Sequence, residues 1–148
     1  MSVQFENRDG IGVITLANPP VNAIGQAVRA GLVQALDDAR AQGVKRVIIT
    51  GGDRVFAAGA DAREFDRPPE ASHLNEVLQR LARFEVPTIA AIFGAALGGG
   101  LEIGLACRMR IAAPGATLGL PETTLGVIPG AGARSGFRGS SAWRTRWS

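Results

Sequence analysis

The chain has 148 residues, of which 46% are apolar and 20% charged, a composition that fits one folded domain and excludes a disordered chain. Its single cysteine, Cys107, excludes an intrachain disulfide and a zinc site built from cysteines. The net charge of +3 is uneven, since residues 1–133 hold twelve basic and thirteen acidic residues, whereas residues 134–148 hold four arginines and no acid.

Apolar patterns predict a hairpin and a helix in the first third of the chain. Val3–Phe5 and Ile11–Leu16 are short apolar runs on either side of Asp9-Gly10, a pair suited to a tight turn. After the loop Asn18–Ala23, apolar residues recur at the spacing of an amphipathic helix. These residues are Val28, Leu32, Ala35, Leu36 and Ala39.

The middle of the chain alternates buried strands with helices. The segments Val47–Thr50, Thr88–Phe93 and Met109–Ala112 are uncharged or nearly so and predict strands. Apolar residues from Leu74 to Phe84 predict an amphipathic helix, and a more apolar helix is expected to include Glu102–Cys107. Strands that alternate with helices indicate an α/β fold with parallel pairing. From residue 130 onward this periodicity stops, which places the end of the domain near residue 133 and predicts a disordered tail over 134–148.

Three segments are candidates for chemistry, and the first is FAAGAD, residues 56–61. It follows a buried strand and consists mainly of small residues, so its backbone amides can approach a ligand closely. A tight turn between a strand and a helix would give the same sequence, and this segment alone does not separate the two interpretations.

The second segment is GAALGGGLE, residues 94–102. Successive glycines at the start of a helix present N–H groups that can stabilise an anion, although close packing of the helix on a sheet also explains them. Glu102 lies in apolar surroundings and is a candidate for proton transfer. An acid near a helix N-terminus is also favoured by the helix dipole, so both interpretations stay open.

The third segment is LGLPETTLGVIPG, residues 118–130, in which Glu122 is the only charged residue. Glu122 could simply begin a helix after Pro121. Two isolated carboxylates together with glycine-rich loops are, however, the groups that acid–base chemistry beside an enolate requires. The combination of the three segments therefore points more strongly to a site than any one of them.

These motifs resemble the crotonase superfamily, the enoyl-CoA hydratases and isomerases. The resemblance rests on AAGAD at 57–61, GAALGGGLE at 94–102 and LGLPETTLGVIPGAG at 118–132, and it extends from Val3 to Gly132. The loop NPPVNA is most similar to the hydratase module at the N-terminus of multifunctional fatty-acid oxidation enzymes. The resemblance implies an α/β crotonase-like spiral of ββα units, here incomplete because the C-terminal helical region of the family is missing.

The resemblance also implies an activity, the syn addition of water to a 2-trans-enoyl-CoA thioester in fatty-acid β-oxidation. The amides of Ala60 and Gly99 would form the oxyanion hole, and Glu102 and Glu122 would hold the water and transfer protons. The presence of both glutamates favours hydration over double-bond isomerisation, which stays an alternative. No metal or redox cofactor is expected, since coenzyme A is part of the substrate, and family members form homotrimers or hexamers. The expected contacts to coenzyme A are Val21, Ala23, Ala58, Asp61 and Ala62.

The resemblance ends after Gly132, where the family continues with further helices. We interpret the tail as the product of a reading-frame change near Ala133, with a natural short variant or a tail evolved to bind RNA as the alternatives. Two hypotheses therefore stay open, an enoyl-CoA hydratase and a truncated product without catalytic activity. No nucleic-acid binding is expected from the four arginines and two tryptophans of the tail. His73 and Cys107 are not expected to be catalytic.

The sequence also predicts a location. Residues 1–10 lack the apolar segment of a signal peptide. The longest uncharged apolar stretch, Val86–Leu101, is shorter than the roughly 20 residues of a membrane span. We therefore expect a cytoplasmic protein that does not enter a membrane.

Overall fold

A computed structural model describes residues 1–58, 73–120 and 143–145. Within these residues the chain forms two β-sheets and three helices. The strands and helices, in chain order, are β1 (Val3–Arg8), β2 (Ile11–Leu16), α1 (Gln26–Ala41), β3 (Arg46–Thr50), β4 (Ala57–Ala58), α2 (Leu74–Ala82), β5 (Thr88–Ile92), β6 (Ala95–Leu97), α3 (Gly99–Ala106), β7 (Met109–Ala112), β8 (Thr117–Gly119) and β9 (Trp143–Thr145).

The chain opens with the predicted hairpin. Strands β1 and β2 pair in antiparallel fashion, and Asp9 and Gly10 between them have φ angles of 51° and 87°. Two consecutive residues in the left-handed region are what a two-residue hairpin turn of the primed type requires. The side chain of Asn7 accepts a hydrogen bond from the Gly10 N–H at 3.0 Å, which stabilises this turn.

The larger sheet is mostly parallel, as the alternation of strands and helices predicted. Its order is β1-β2-β3-β5-β7-β9, and every pair after the first hairpin is parallel. Buried positions alternate along β2, β3, β5 and β7, so that one face of each of these strands contributes to the core. The mixed α/β architecture with parallel sheets confirms the fold class expected from the sequence.

The helices pack on this core through the faces that the sequence predicted. All five residues named above for the first helix are buried in α1, and α2 buries Val77, Leu78 and Leu81. Each fully buried valine or leucine side chain among them contributes about 1.5–3 kcal/mol relative to an exposed one. The longest helix within the described residues, α1, has 16 residues, and no helix there combines the length and apolarity needed to cross a membrane.

A second, three-stranded sheet was not predicted from the sequence. It has the order β4-β6-β8, with parallel pairing of Ala57 to Ala96 and of Ala95 to Thr117. Its strands are two or three residues long, and β4 and β6 consist mainly of alanine, a residue with low β-propensity. The sequence therefore shows no strand pattern at these positions. This sheet carries the described parts of the three candidate segments.

Three residues of the tail, 143–145, are among those that the structure describes. They form β9, which extends the larger sheet by pairing Trp143 with Arg110 and Thr145 with Ala112. An edge strand such as β7 offers unpaired N–H and C=O groups, and aromatic and β-branched residues favour pairing with it. The boundary at residue 133 stays a prediction, because residues 121–142 and 146–148 lie outside the described residues.

Candidate active site

The small sheet brings the described parts of the candidate segments together. Its central strand β6 lies between β4, from the first segment, and β8, from the third. The Phe56 N–H donates to the Ala95 carbonyl at 3.0 Å, and the Gly98 N–H donates to the Gly119 carbonyl at 2.9 Å. These hydrogen bonds hold the start of α3 beside the ends of β4 and β8.

Helix α3 begins directly after β6 with a sharp change of backbone direction. Gly98 precedes the helix with φ 54° and ψ −122°, a combination that glycine adopts far more readily than other residues. The first N–H groups of a helix have no acceptor within that helix, and they lie at the positive end of its dipole. Gly99 is the first residue of α3, so its amide belongs to this group.

Gly100 lies in direct contact with β4. A Cβ atom built at Gly100 would stand 2.7 Å from the Cβ atom of Ala57 and would collide with the carbonyl oxygen of Ala57. A Cβ at Gly99 would meet only the tip of Leu74, at 3.3 Å, and Ile24, at 3.7 Å. Close helix–sheet packing therefore explains Gly100, whereas it restricts Gly99 much less.

Glu102 is buried in the first turn of α3. It is 5% exposed, and its neighbours Leu101 and Ile103 are also buried. Its main-chain N–H donates to the Gly98 carbonyl at 3.0 Å, which makes it part of the first helical turn. The position satisfies both interpretations made from the sequence, an acid favoured by the helix dipole and a carboxylate in apolar surroundings. The second predicted carboxylate, Glu122, lies outside the described residues.

The loop before α1 reaches the same region. The Ala58 N–H donates to the Val21 carbonyl at 2.9 Å, so two of the expected coenzyme A contacts are joined by a hydrogen bond. Val21 is 43% exposed, whereas Ala23 and Ala58 are partly buried. The other expected site residues on this side, Ala60, Asp61 and Ala62, lie outside the described residues.

One residue of this loop was not singled out by the sequence analysis. Asn22 is 5% exposed and has a φ angle of 53°. Its side chain bonds to several main-chain groups of the loop and of the connection to β4. Asparagine tolerates the left-handed conformation better than most residues, and this preference in a proline-rich loop was the signal that could have identified it.

The opposite end of α3 is held by a buried arginine. The Nη1 atom of Arg110 donates to the carbonyls of Gly104 at 3.3 Å, Leu105 at 3.0 Å and Cys107 at 3.0 Å. Gly104 and Leu105 lie in the last turn of α3, and Cys107 is its C-cap, so their carbonyls accept no N–H from within the helix. The guanidinium therefore both caps the helix and opposes the negative end of its dipole. Arg110 thus links β7 to the C-terminal end of α3.

Neither His73 nor Cys107 has the environment of a catalytic residue. His73 is exposed at the start of α2. Burial raises the pKa of the Cys107 thiol to about 12, which keeps it protonated and unreactive at neutral pH. Within the described residues, no three His, Cys, Asp or Glu side chains cluster as a metal site would require.

Comparison with known proteins gives a consistent result. Residues 6–137 match the model of the family described as enoyl-CoA hydratase/isomerase. The chain is 45% identical over 128 residues to a protein of Bacillus subtilis named probable enoyl-CoA hydratase, a match that covers 81% of this chain and 50% of that protein. It is 44% identical over 125 residues to the peroxisomal bifunctional enzyme of Cavia porcellus, covering 82% of this chain and 17% of that protein.

Solved structures show the same fold. The enoyl-CoA hydratase from Bacillus anthracis superposes with a TM-score of 0.84 at 35% identity, covering 93% of this chain and 57% of that one. The enoyl-CoA hydratase from Thermoplasma volcanium gives a TM-score of 0.84 at 32% identity and covers 93% of this chain and 58% of that one. The chain thus spans about half the length of these relatives, and a much smaller share of the bifunctional enzyme.

Proposed function

The chain belongs to the enoyl-CoA hydratase/isomerase family, and we propose that it binds a 2-trans-enoyl-CoA thioester and adds water in syn fashion across the 2,3 double bond. One observation carries this proposal above the others. The first turn of α3 combines a glycine amide at the positive end of the helix with a buried carboxylate, Glu102, three residues further along. A donor for a developing negative charge and a group for proton transfer thus lie in one rigid turn.

The donor is the amide of Gly99, and the amide of Ala60 is its partner in the proposed oxyanion hole. Gly99 begins α3, and Ala60 follows the end of β4 by two residues. When water attacks C3, negative charge moves onto the thioester oxygen as an enolate. A preorganised backbone donor at that position is typically worth about 3–4 kcal/mol of the barrier. The close packing of Gly100 on Ala57 supports this assignment, because it places the start of α3 directly against β4.

The proton transfers are assigned to Glu102 and Glu122. One carboxylate removes a proton from the attacking water, whose oxygen bonds to C3, and the other carboxyl group donates a proton to C2. The reaction then needs no oxidant, reductant or metal, because the hydroxyl group of water adds to C3 and a proton adds to C2. Positioned acid–base groups of this kind contribute about 10²–10⁴-fold to a rate.

The coenzyme A portion is assigned to the loop before α1, to Ala58 and to the segment that follows it in the chain. The proposed contacts are Val21, Ala23, Ala58, Asp61 and Ala62. The hydrogen bond between Ala58 and Val21 supports this assignment, since it places the loop beside β4. Participation in fatty-acid β-oxidation, assembly into trimers or hexamers and a cytoplasmic location are parts of the same proposal.

The proposal is tested with a short 2-trans-enoyl-CoA, whose conjugated thioester absorbance disappears on hydration. We expect Glu102→Gln and Glu122→Gln to lower the rate at least 100-fold while leaving binding of the thioester nearly unchanged. Glu76→Gln is the matched control, because Glu76 is an exposed glutamate on α2. Hydration that survives either active-site substitution would remove the assigned roles. Migration of the double bond of a 3-enoyl-CoA without hydration would favour an isomerase instead.

A further inference from the structure

Asn22 occupies an unusual position in the loop before α1. It is 5% exposed and adopts φ 53°, within the left-handed region. Its Nδ2 atom lies 3.2 Å from each of three carbonyl oxygens, those of Gly51, Val55 and Phe56. Its Oδ1 atom accepts a hydrogen bond from the Asn18 N–H at 2.8 Å. A single side chain therefore bonds to two separate stretches of backbone.

The first stretch is the loop itself. The main-chain N–H of Asn22 donates to the Asn18 carbonyl at 2.9 Å, and the Asn18 side chain donates to the Ala23 carbonyl at 3.0 Å. Together with the bond from the Asn18 N–H to Oδ1 of Asn22, these contacts close the loop on itself. The loop is thereby preorganised without any ligand.

The second stretch is the connection from β3 to β4, residues 51–56, which leads into Ala58. The three carbonyls of this connection converge on one amide group, and the Ala58 N–H completes the link by donating to the Val21 carbonyl at 2.9 Å. An amide NH2 group is a donor, so the geometry requires asparagine, whereas an aspartate of the same shape would place an acceptor against three acceptors.

We propose that Asn22 is a positioning residue that fixes the loop 18–23 relative to β4, and thereby relative to the segment that follows Ala58 in the chain. The inference rests on the proposed function, since the loop is assigned to the coenzyme A portion, and the segment after Ala58 holds Ala60, which is assigned to the thioester carbonyl. A substrate held at both ends requires the distance between them to be fixed before binding, and a preorganised site loses less entropy when it binds. Asn22 acts through the backbone and does not itself contact the reacting atoms.

The first test uses hydrogen exchange on the ligand-free chain. Asn22→Asp replaces the Nδ2 donor with an acceptor oxygen. Asn22→Gly removes the side chain while permitting the left-handed backbone conformation. Asn7→Asp is the matched control, because Asn7 is exposed and its Oδ1 acceptor for the Gly10 N–H is kept. We expect the Ala58 amide to exchange at least tenfold faster in both Asn22 variants, and the Asn18 amide to do so in Asn22→Gly, which removes its Oδ1 acceptor, with the amides of Ile49 and Ile92 unchanged. Equal acceleration of all four amides would overturn the proposal, since Asn22 would then support only global stability.

The second test uses cinnamoyl-CoA, whose absorbance moves to longer wavelength when its thioester carbonyl accepts hydrogen bonds. We expect Asn22→Gly to weaken binding at least tenfold and to reduce the spectral shift at saturation, while Asn7→Asp matches the unaltered chain. Binding and shift within twofold of the unaltered chain would contradict a positioning role. If the unaltered chain itself does not bind cinnamoyl-CoA, the proposed function fails, whereas the exchange of Ala58 and Asn18 still decides the role of Asn22.

Discussion

Replacement of Gly100 by alanine probes the contact on which the proposed site depends. The added Cβ would stand 2.7 Å from the Ala57 Cβ and would collide with the Ala57 carbonyl oxygen. Neither atom can rotate away, because both are fixed by the backbone of β4. Overpacking of this kind costs about 1–3 kcal/mol, and the upper end applies where the backbone must move. The better helix propensity of alanine returns about 1 kcal/mol, so we expect a net loss of about 2 kcal/mol in the free energy of unfolding.

The same helix supplies the control for this substitution. A Cβ at Gly104 would meet only the tip of Ile92 at 3.4 Å and the Cβ of Ala90 at 4.0 Å, both ordinary contacts. Gly104→Ala should therefore be neutral or stabilising by up to about 1 kcal/mol. Urea unfolding of the two variants measures the difference, which we expect to be about 2–3 kcal/mol. Equal stability of the two variants would refute the argument that α3 is packed on β4 through Gly100.

Two further substitutions test the other end of α3. Arg110→Met leaves three carbonyls at the C-terminal end of α3 without their donor, and we expect a loss of about 3 kcal/mol in urea unfolding. Arg108→Met, at an exposed position, should change stability by less than about 0.5 kcal/mol. A tolerated Arg110→Met would mean that the guanidinium does not cap the helix. Since burial raises the pKa of Cys107 to about 12, alkylation by iodoacetamide at pH 8 should be about 10³-fold slower in the folded chain than in urea. The same shift predicts that this thiol lowers stability as the pH rises from about 9 towards 12, because the unfolded thiol ionises first. Rapid alkylation in the folded state would contradict its burial.

Strands β1, β2, β3, β5 and β7 of the larger sheet and the helices could be predicted because their signals are local. Alternation in Ile11–Leu16 and helical spacing from Val28 to Ala39 each require one face to be buried, and the structure buries those faces. The Asp9-Gly10 pair likewise specified its turn through backbone conformation alone. These patterns identify elements without information from the rest of the chain.

The small sheet could not be predicted, because its strands are stabilised by their neighbours and not by their own residues. Ala57-Ala58 becomes a strand only because β6 lies beside it, and β6 in turn depends on Thr117–Gly119. Asn22 was missed for a related reason, since its three carbonyl partners lie about thirty residues away in sequence. Gly99 and Glu102 were identified from their motif, and their placement in one buried helical turn required the structure.

The central claim is that this chain hydrates an enoyl-CoA thioester, and one measurement tests it most directly. The folded chain is incubated with a 2-trans-enoyl-CoA in water enriched in oxygen-18, and the product is weighed by mass spectrometry. The account predicts a 3-hydroxyacyl-CoA that carries one oxygen-18 atom, formed in a saturable reaction and absent with Glu102→Gln. A chain that is folded by urea unfolding, yet forms no labelled product, would contradict it.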